Sequence, residues 1–259
     1  MKRFFAILLF AGLAAAQSQA PSAAAQDPGA VKARAMIDKM IEALGGQAYL
    51  NIQDMSQEGR TYGFSNNGES GGGTEFWRFY KWPDKDRIEL TKQRDWAIVH
   101  NGAKGYEITY KGTAIEDPKE TTAFLDRQHY SLDHVLRVWL NEPGVLLFDE
   151  GAAVADRKPA EKITLINSKN ESVSIYIDPM KFLPVQRTYQ KRNPVYRDID
   201  TEDETYDNWH LVQGIQTPYT VVRLHNGQMT NQRFLSKVTY NTGVSDALFE
   251  PKGPIKDAK

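Results

Sequence analysis

The sequence predicts an α+β protein that is mostly antiparallel sheet, with a few helices laid on it. Three observations predict this. From residue 52 onward, apolar residues recur with a period of two, the period of a strand with one buried face. Turn signals join neighbouring runs as hairpins: Asn101-Gly102, Asn226-Gly227, and Asp178-Pro179 between two alternating stretches. Helical periodicity is confined to residues 31–44 and to two short segments within 117–142.

The clearest hairpin spans residues 172–189. Val173, Ile175 and Ile177 alternate with polar or half-polar neighbours, and Asp178-Pro179 forces a turn because the residue before a proline avoids the helical region. Leu183-Pro184 enters the second run, where a missing N–H costs no ladder bond.

Ahead of the sheet, Lys2 and Arg3 precede an apolar run of about a dozen residues, too short to span a bilayer. Small residues at 14–16 and at Ser18-Gln19-Ala20 suit a signal peptidase. A signal peptide over 1–20 is expected, cut after Ala20 or Ala16, followed by a flexible lead-in over 21–29. The helix at 31–44 places Ile37, Met40, Ile41 and Leu44 on one face, and Gly45-Gly46 ends it.

Strands are expected at 53–64, 74–82, 87–92, 96–100 and 106–110, with a glycine-rich loop at 66–73. The 74–82 strand is strongly aromatic, carrying Phe76, Trp77, Phe79, Tyr80 and Trp82. A loop over 100–102 would set Trp96 opposite Tyr106; a two-residue turn at Asn101-Gly102 would set it opposite Glu107. The first is preferred because it gathers aromatics on one face.

Two helices then interrupt the strands. Asp117 caps the first, with Pro118 at its first position and Glu120 at its third. Ser131 caps the second, whose stripe is Leu132, Val135, Leu136 and Trp139, and Pro143-Gly144 stops it. Strands return at 145–148 and 162–166, in the central hairpin, and at 203–211, 215–224 and 228–240. Residues 252–259 read as a solvated tail.

The 259 residues, 41% hydrophobic and 25% charged, suit one large domain over 30–251. A net charge of -1 gives no footprint for nucleic acid. The absence of cysteine excludes disulfides, thiolate metal sites, a cysteine nucleophile and a lipid-modified cysteine.

Several segments carry a family resemblance through their order. They are Lys81-Trp82-Pro83-Asp84-Lys85-Asp86-Arg87-Ile88-Glu89, then Val99-His100-Asn101-Gly102 leading into 106–110. Ile177-Asp178-Pro179 follows, with Leu183-Pro184-Val185, Val212-Gln213-Gly214-Ile215-Gln216-Thr217-Pro218 and the ending at 241–249. Over about residues 30–251 the chain resembles the outer-membrane lipoprotein-sorting proteins, the LolA/LolB-type half-barrels, and the related RseB-type periplasmic sensor domains. The resemblance implies a curved open half-barrel of about eleven strands around an N-terminal helix and a two-helix insertion, with an apolar cavity for acyl chains. Trp77, Phe79, Trp82, Trp96, Ile98 and Tyr106 are the expected cavity contacts. Where carriers of this family place an arginine before the strand-ending proline, this chain has Trp82.

No catalytic signature accompanies this. His129 and His134, with Asp126 and Asp133, match no zinc spacing and read as polar helix surface. The acidic run at 198–204 lacks a calcium loop's glycine and ligand spacing and reads as a solvated loop leading into a strand. No Gly-x-Ser-x-Gly elbow occurs, and the glycine-rich loop lacks the lysine of a phosphate loop.

The expectation is therefore a monomeric, non-enzymatic periplasmic carrier without cofactor or metal, its partner a lipid or an acylated protein, with outer-membrane lipoprotein sorting as one form of that role. The alternative is a sensor or interaction module of the same fold that binds an envelope protein, and the third reading is a metal-dependent hydrolase built on the His129/His134 region.

Overall fold

The structure, a computed structural model, describes residues 27–65, 67–193 and 195–257. The expected signal peptide and residues 21–26 of the lead-in lie outside the described residues, while residues 28 and 29 of the lead-in are helical. No described helix is long and apolar enough to cross a membrane.

Helix α1 (Pro28–Leu44) starts three residues ahead of the expected residue 31, because Asp27 accepts a hydrogen bond from the Gly29 amide and Pro28 fits the first turn. Gly45, at φ 127°, closes it, and the short α2 (Gln47–Leu50) follows. The chain then runs through β1 (Asp54–Phe64), β2 (Ser70–Lys81), β3 (Lys85–Leu90), β4 (Trp96–Asn101), β5 (Lys104–Thr109) and β6 (Gly112–Ile115). The insertion is α3 (Pro118–His129) and α4 (Leu132–Arg137), capped by Asp117 and Ser131 as their sequences predict. A second series follows: β7 (Leu146–Ala155), β8 (Lys158–Ile166), β9 (Ser172–Ile177), β10 (Pro184–Arg192), β11 (Ile199–Val212), β12 (Ile215–His225) and β13 (Gln228–Tyr240). The last strand is β14 (Ile255–Lys256).

All fourteen strands form one open sheet in the order β14-β6-β5-β4-β3-β2-β1-β13-β12-β11-β10-β9-β8-β7. Each series is a meander of hairpins, and β1 pairs with β13 to join the two. On the concave face, Ala33, Ile37, Met40 and Leu44 of α1 are fully buried, as are Val135, Leu136 and Trp139 from the insertion. They pack on Ile163, Leu165, Val173, Ile175 and Ile177. A smaller cluster lies on the opposite face of β2–β5, where Val244 and, from the 3-10 turn that follows it, Phe249 cover Val99, Phe79, Tyr106 and Ile108.

Three local expectations are corrected. The β4–β5 turn is centred on Gly102-Ala103, with Asn101 opposite Lys104 and Val99 opposite Tyr106. Trp96 therefore faces neither Tyr106 nor Glu107; Gly102 takes the positive φ of 60° one place earlier in the turn than Asn-Gly implied. At Asn226-Gly227, by contrast, both residues have positive φ and the expected two-residue turn forms. Strands β7 and β8 extend to a tight turn at Asp156-Arg157, whose positive φ values no turn-forming glycine announces. Finally, the tail is tied down: Ile255 and Lys256 pair in parallel with Thr113 and Ala114 of β6, itself too short to show a period.

Candidate functional site

Between the concave face and the helices lies a cavity of about 740 Å³. Sheet residues on its wall alternate along each strand: Arg78 and Tyr80 of β2, Asp86 and Ile88 of β3, Ile98 and His100 of β4. The other half contributes Glu202, Glu204 and Tyr206 of β11, Val221 and Arg223 of β12, and Arg233 and Leu235 of β13. Helices cover it with Leu44 from α1, Tyr49 from α2, Phe124 and Arg127 from α3, and Leu132 from α4.

Helix α3 buries none of its own residues fully, so polar contacts position it. Phe124 stacks on His100, centroids 3.6 Å apart and planes 3° from parallel. His100 Nε2 lies 2.8 Å from Glu116 Oε2, which also accepts the Thr121 hydroxyl at 2.7 Å. Burial pushes the Glu116 carboxyl up, but these two hydrogen bonds outweigh it and hold it below the usual carboxylate range. Gln128 Nε2 donates to the Pro83 carbonyl, and Asp126 pairs with Lys191 of β10.

A belt of charge crosses the concave face. Arg78 donates to Asp86 through Nε at 2.8 Å. Glu204 faces three guanidinium groups: Arg223 Nε at 3.0 Å, Arg187 Nη2 at 3.8 Å and Arg233 Nη2 at 3.9 Å. Burial alone would raise the Glu204 carboxyl, and the three arginines overcome it and leave it far below its ordinary value. Burial lowers Arg233, and neighbouring Arg223 and Arg78 lower it further, to about 9. Around this belt the wall is apolar, with Ile88, Ile98, Tyr80, Met55 and Trp209 among its members.

Of the six expected cavity contacts, the structure places Ile98 on the wall, opposite Ile88 of β3. Phe79 and Tyr106 lie on the other face, packed against the Val99–Phe249 cluster. Trp77 shares that face, under the Arg94 guanidinium at 5.0 Å. Trp96 begins β4 and is 41% exposed. Trp82 sits just beyond β2, where Arg137 of α4 stacks on its ring at 3.6 Å and donates to the Ile52 carbonyl. An arginine therefore meets this strand end after all, delivered by a helix rather than by the strand.

The cavity's arginines were missed by sequence reasoning, although a signal exists. Arg78 lies two residues from Phe76 and Tyr80, Arg223 two from Val221, and Arg233 two from Leu235. Each is in phase with inward-facing apolar neighbours. The acidic run is corrected in part: Asp198 precedes the strand and is exposed, but from Asp200 on the run lies within β11, where Glu202 bonds to His225 and Glu204 meets the arginines, while Asp203 accepts from Gln186 and Thr188. Ordinary strand alternation internalises half of it. His129 Nε2 lies 2.8 Å from Glu171, Asp133 pairs with Arg137 at 3.4 Å, and His134 packs beside Trp82. Among the described residues, no three metal-ligating side chains gather.

No protein-family model and no curated protein matches the chain. Solved structures do. A DUF1329 family protein from Desulfovibrio piger superposes with TM-score 0.57 at 12% identity, covering 84% of this chain and 97% of that one. An outer membrane lipoprotein-sorting protein domain from Vibrio parahaemolyticus gives 0.55 at 10% identity, covering 85% and 97%. A LolA superfamily protein from Nitrosomonas europaea gives 0.53 at 11% identity, covering 84% and 97%. This chain shares the open half-barrel fold of these proteins, as the order of its sequence segments implies.

Proposed function

We propose that this chain is an exported, non-enzymatic carrier, working as a monomer in the periplasm, that shelters a lipid, an acyl chain or an acylated protein in its half-barrel cavity. The observation that carries this reading is the cavity itself. Its volume of about 740 Å³ lies within the roughly 300–1,000 Å³ of ligand pockets, and it is roofed by a helix held through polar contacts. The fold shared with a lipoprotein-sorting domain supports it, and outer-membrane lipoprotein sorting is the most specific form of the role.

Binding is mainly hydrophobic, at about 0.8 kcal/mol per buried methylene, so a few buried methylenes supply several kcal/mol. Ile98 is the proposed contact at mid-wall. Replacing it with aspartate, I98D, is expected to weaken uptake of a fluorescent fatty acid at least tenfold without loss of the folded state by circular dichroism. Unchanged uptake removes Ile98 from the site.

A second reading rests on a different feature. Strand β7 ends the sheet, its outer edge is unpaired among the described residues, and Leu146, Phe148 and Val154 are exposed at 55%, 42% and 74%. Such an edge suits addition of an extended segment from an envelope protein. Native mass spectrometry of the purified protein, followed by organic extraction, separates the readings. A bound lipid or acylated peptide supports the carrier. A clean apo mass with no fatty-acid uptake supports the edge-binding module.

A further inference from the structure

Ion pairing inside the cavity is uneven, although Asp86, Glu116, Glu120, Asp133, Glu202 and Glu204 line it beside four arginines. Arg78 has Asp86, but Glu204 is shared by Arg187, Arg223 and Arg233. Arg127 reaches the same space from α3 and makes no ion pair among the described residues, although Glu120 and Glu202 attract it from beyond ion-pair distance. Glu202 is itself bonded to His225 at 2.6 Å. Two buried guanidinium groups have donors without acceptors: Nε of Arg233, and Nε and Nη1 of Arg187. Arg187's side chain is 4% exposed and Arg233's 12%.

Guanidinium groups stay protonated across the physiological range, and a buried donor without an acceptor costs free energy. Their planar fork matches a carboxylate or a phosphate in bidentate fashion. Burial and the crowding by Arg223 both hold Arg233 and Arg127 below the ordinary guanidinium range. The same cavity carries an apolar wall of Tyr80, Ile88, Ile98 and Phe124 on the β2–β4 side, away from the β12–β13 arginines.

We propose that the cavity binds a single-chain anionic amphiphile, its carboxylate or phosphate head among Arg127, Arg223 and Arg233 and its chain along Tyr80, Ile88, Ile98 and Phe124. This rests on the carrier reading and narrows its ligand class. Among the head-group arginines, Arg233 offers an Nε donor without an acceptor and Arg127 a guanidinium without an ion pair, so the charged belt sets specificity and the apolar wall supplies affinity.

The test titrates the mature protein with dodecanoic acid, dodecyl phosphate, methyl dodecanoate and inorganic phosphate, read by tryptophan fluorescence. The acid and the phosphate ester are expected to bind at least tenfold tighter than the methyl ester. R233M, and separately R127Q, should each reduce that preference about tenfold. Arg127 holds no ion pair, so R127Q keeps the test valid if R233M does not fold. Equal binding of acid and methyl ester overturns the head-group site and leaves the carrier standing. Inorganic phosphate binding as tightly as dodecyl phosphate also overturns the proposal, because the site then takes a free anion. Binding of none of the four overturns the carrier reading as well.

Discussion

At the scale of single residues, the concave face is governed by a carboxylate that holds more positive charge than it can cancel. Removing its charge leaves Arg187, Arg223 and Arg233 facing one another with no counter-ion. E204Q, nearly isosteric, is expected to lower stability by about 3–5 kcal/mol at neutral pH, measured by urea unfolding. The sign of its pH dependence follows. A carboxyl depressed in the folded state stabilises above its unfolded pKa, roughly 4.3, and loses that contribution as pH falls below it. The gap between wild type and E204Q should therefore close in acid. His134 works in a different window. Burial, with His129 adding to it, lowers His134 from 6.5 to about 4, so the unfolded chain takes up the proton first. Stability from this group is complete above pH 6.5 and lost towards about 4. H134Q should flatten the slope of urea midpoint against pH in that interval, and an unchanged slope would assign the effect elsewhere. Neither group was legible in the sequence. Glu204 stands in a run of five acids within seven residues, and only the β10–β13 register shows which of them turns inward.

At the scale of elements, strands, turns and caps were legible because each rests on local chemistry. Asp117, Ser131, Gly45 and Asn226-Gly227 behave as their types dictate. The face that each strand turns inward was not. β2 alternates Phe76 and Tyr80 with Trp77 and Phe79, so both faces look apolar, and both are covered, one by helices and one by the Asp246–Phe249 turn. β4 sends Ala97 and Val99 outward under that turn and Ile98 and His100 inward, a choice fixed by residues far away in sequence. Close approach is equally invisible locally. Gly59 lies at a bulge opposite Leu235, and a Cβ there would fall 2.2 Å from the Phe234 carbonyl oxygen and 3.0 Å from Leu235 Cα. These are backbone atoms, so the strand pair itself must part. G59A is expected to cost about 3 kcal/mol or more. G63A in the same strand, where a Cβ meets nothing within 4 Å, should be close to neutral. Equal costs in urea unfolding would contradict the close-packed bulge.

At the scale of the whole molecule, the two meanders are each sewn from neighbouring hairpins, and one antiparallel pair, β1 with β13, makes them a single sheet. That pair has a consequence in time. As the chain emerges from its N-terminus, β1 is among the first strands available and its eleven-residue outer edge stays bare until Gln228–Tyr240 arrives. Closing so long a loop is entropically slow, and such non-local pairing sets the pace of folding. The cavity inherits the delay. Ile98 and Arg78 come from the early half, Arg223 and Arg233 from the late one. Neither half encloses the space alone, so the cavity comes into being in the same event that seals the sheet against its own exposed edge.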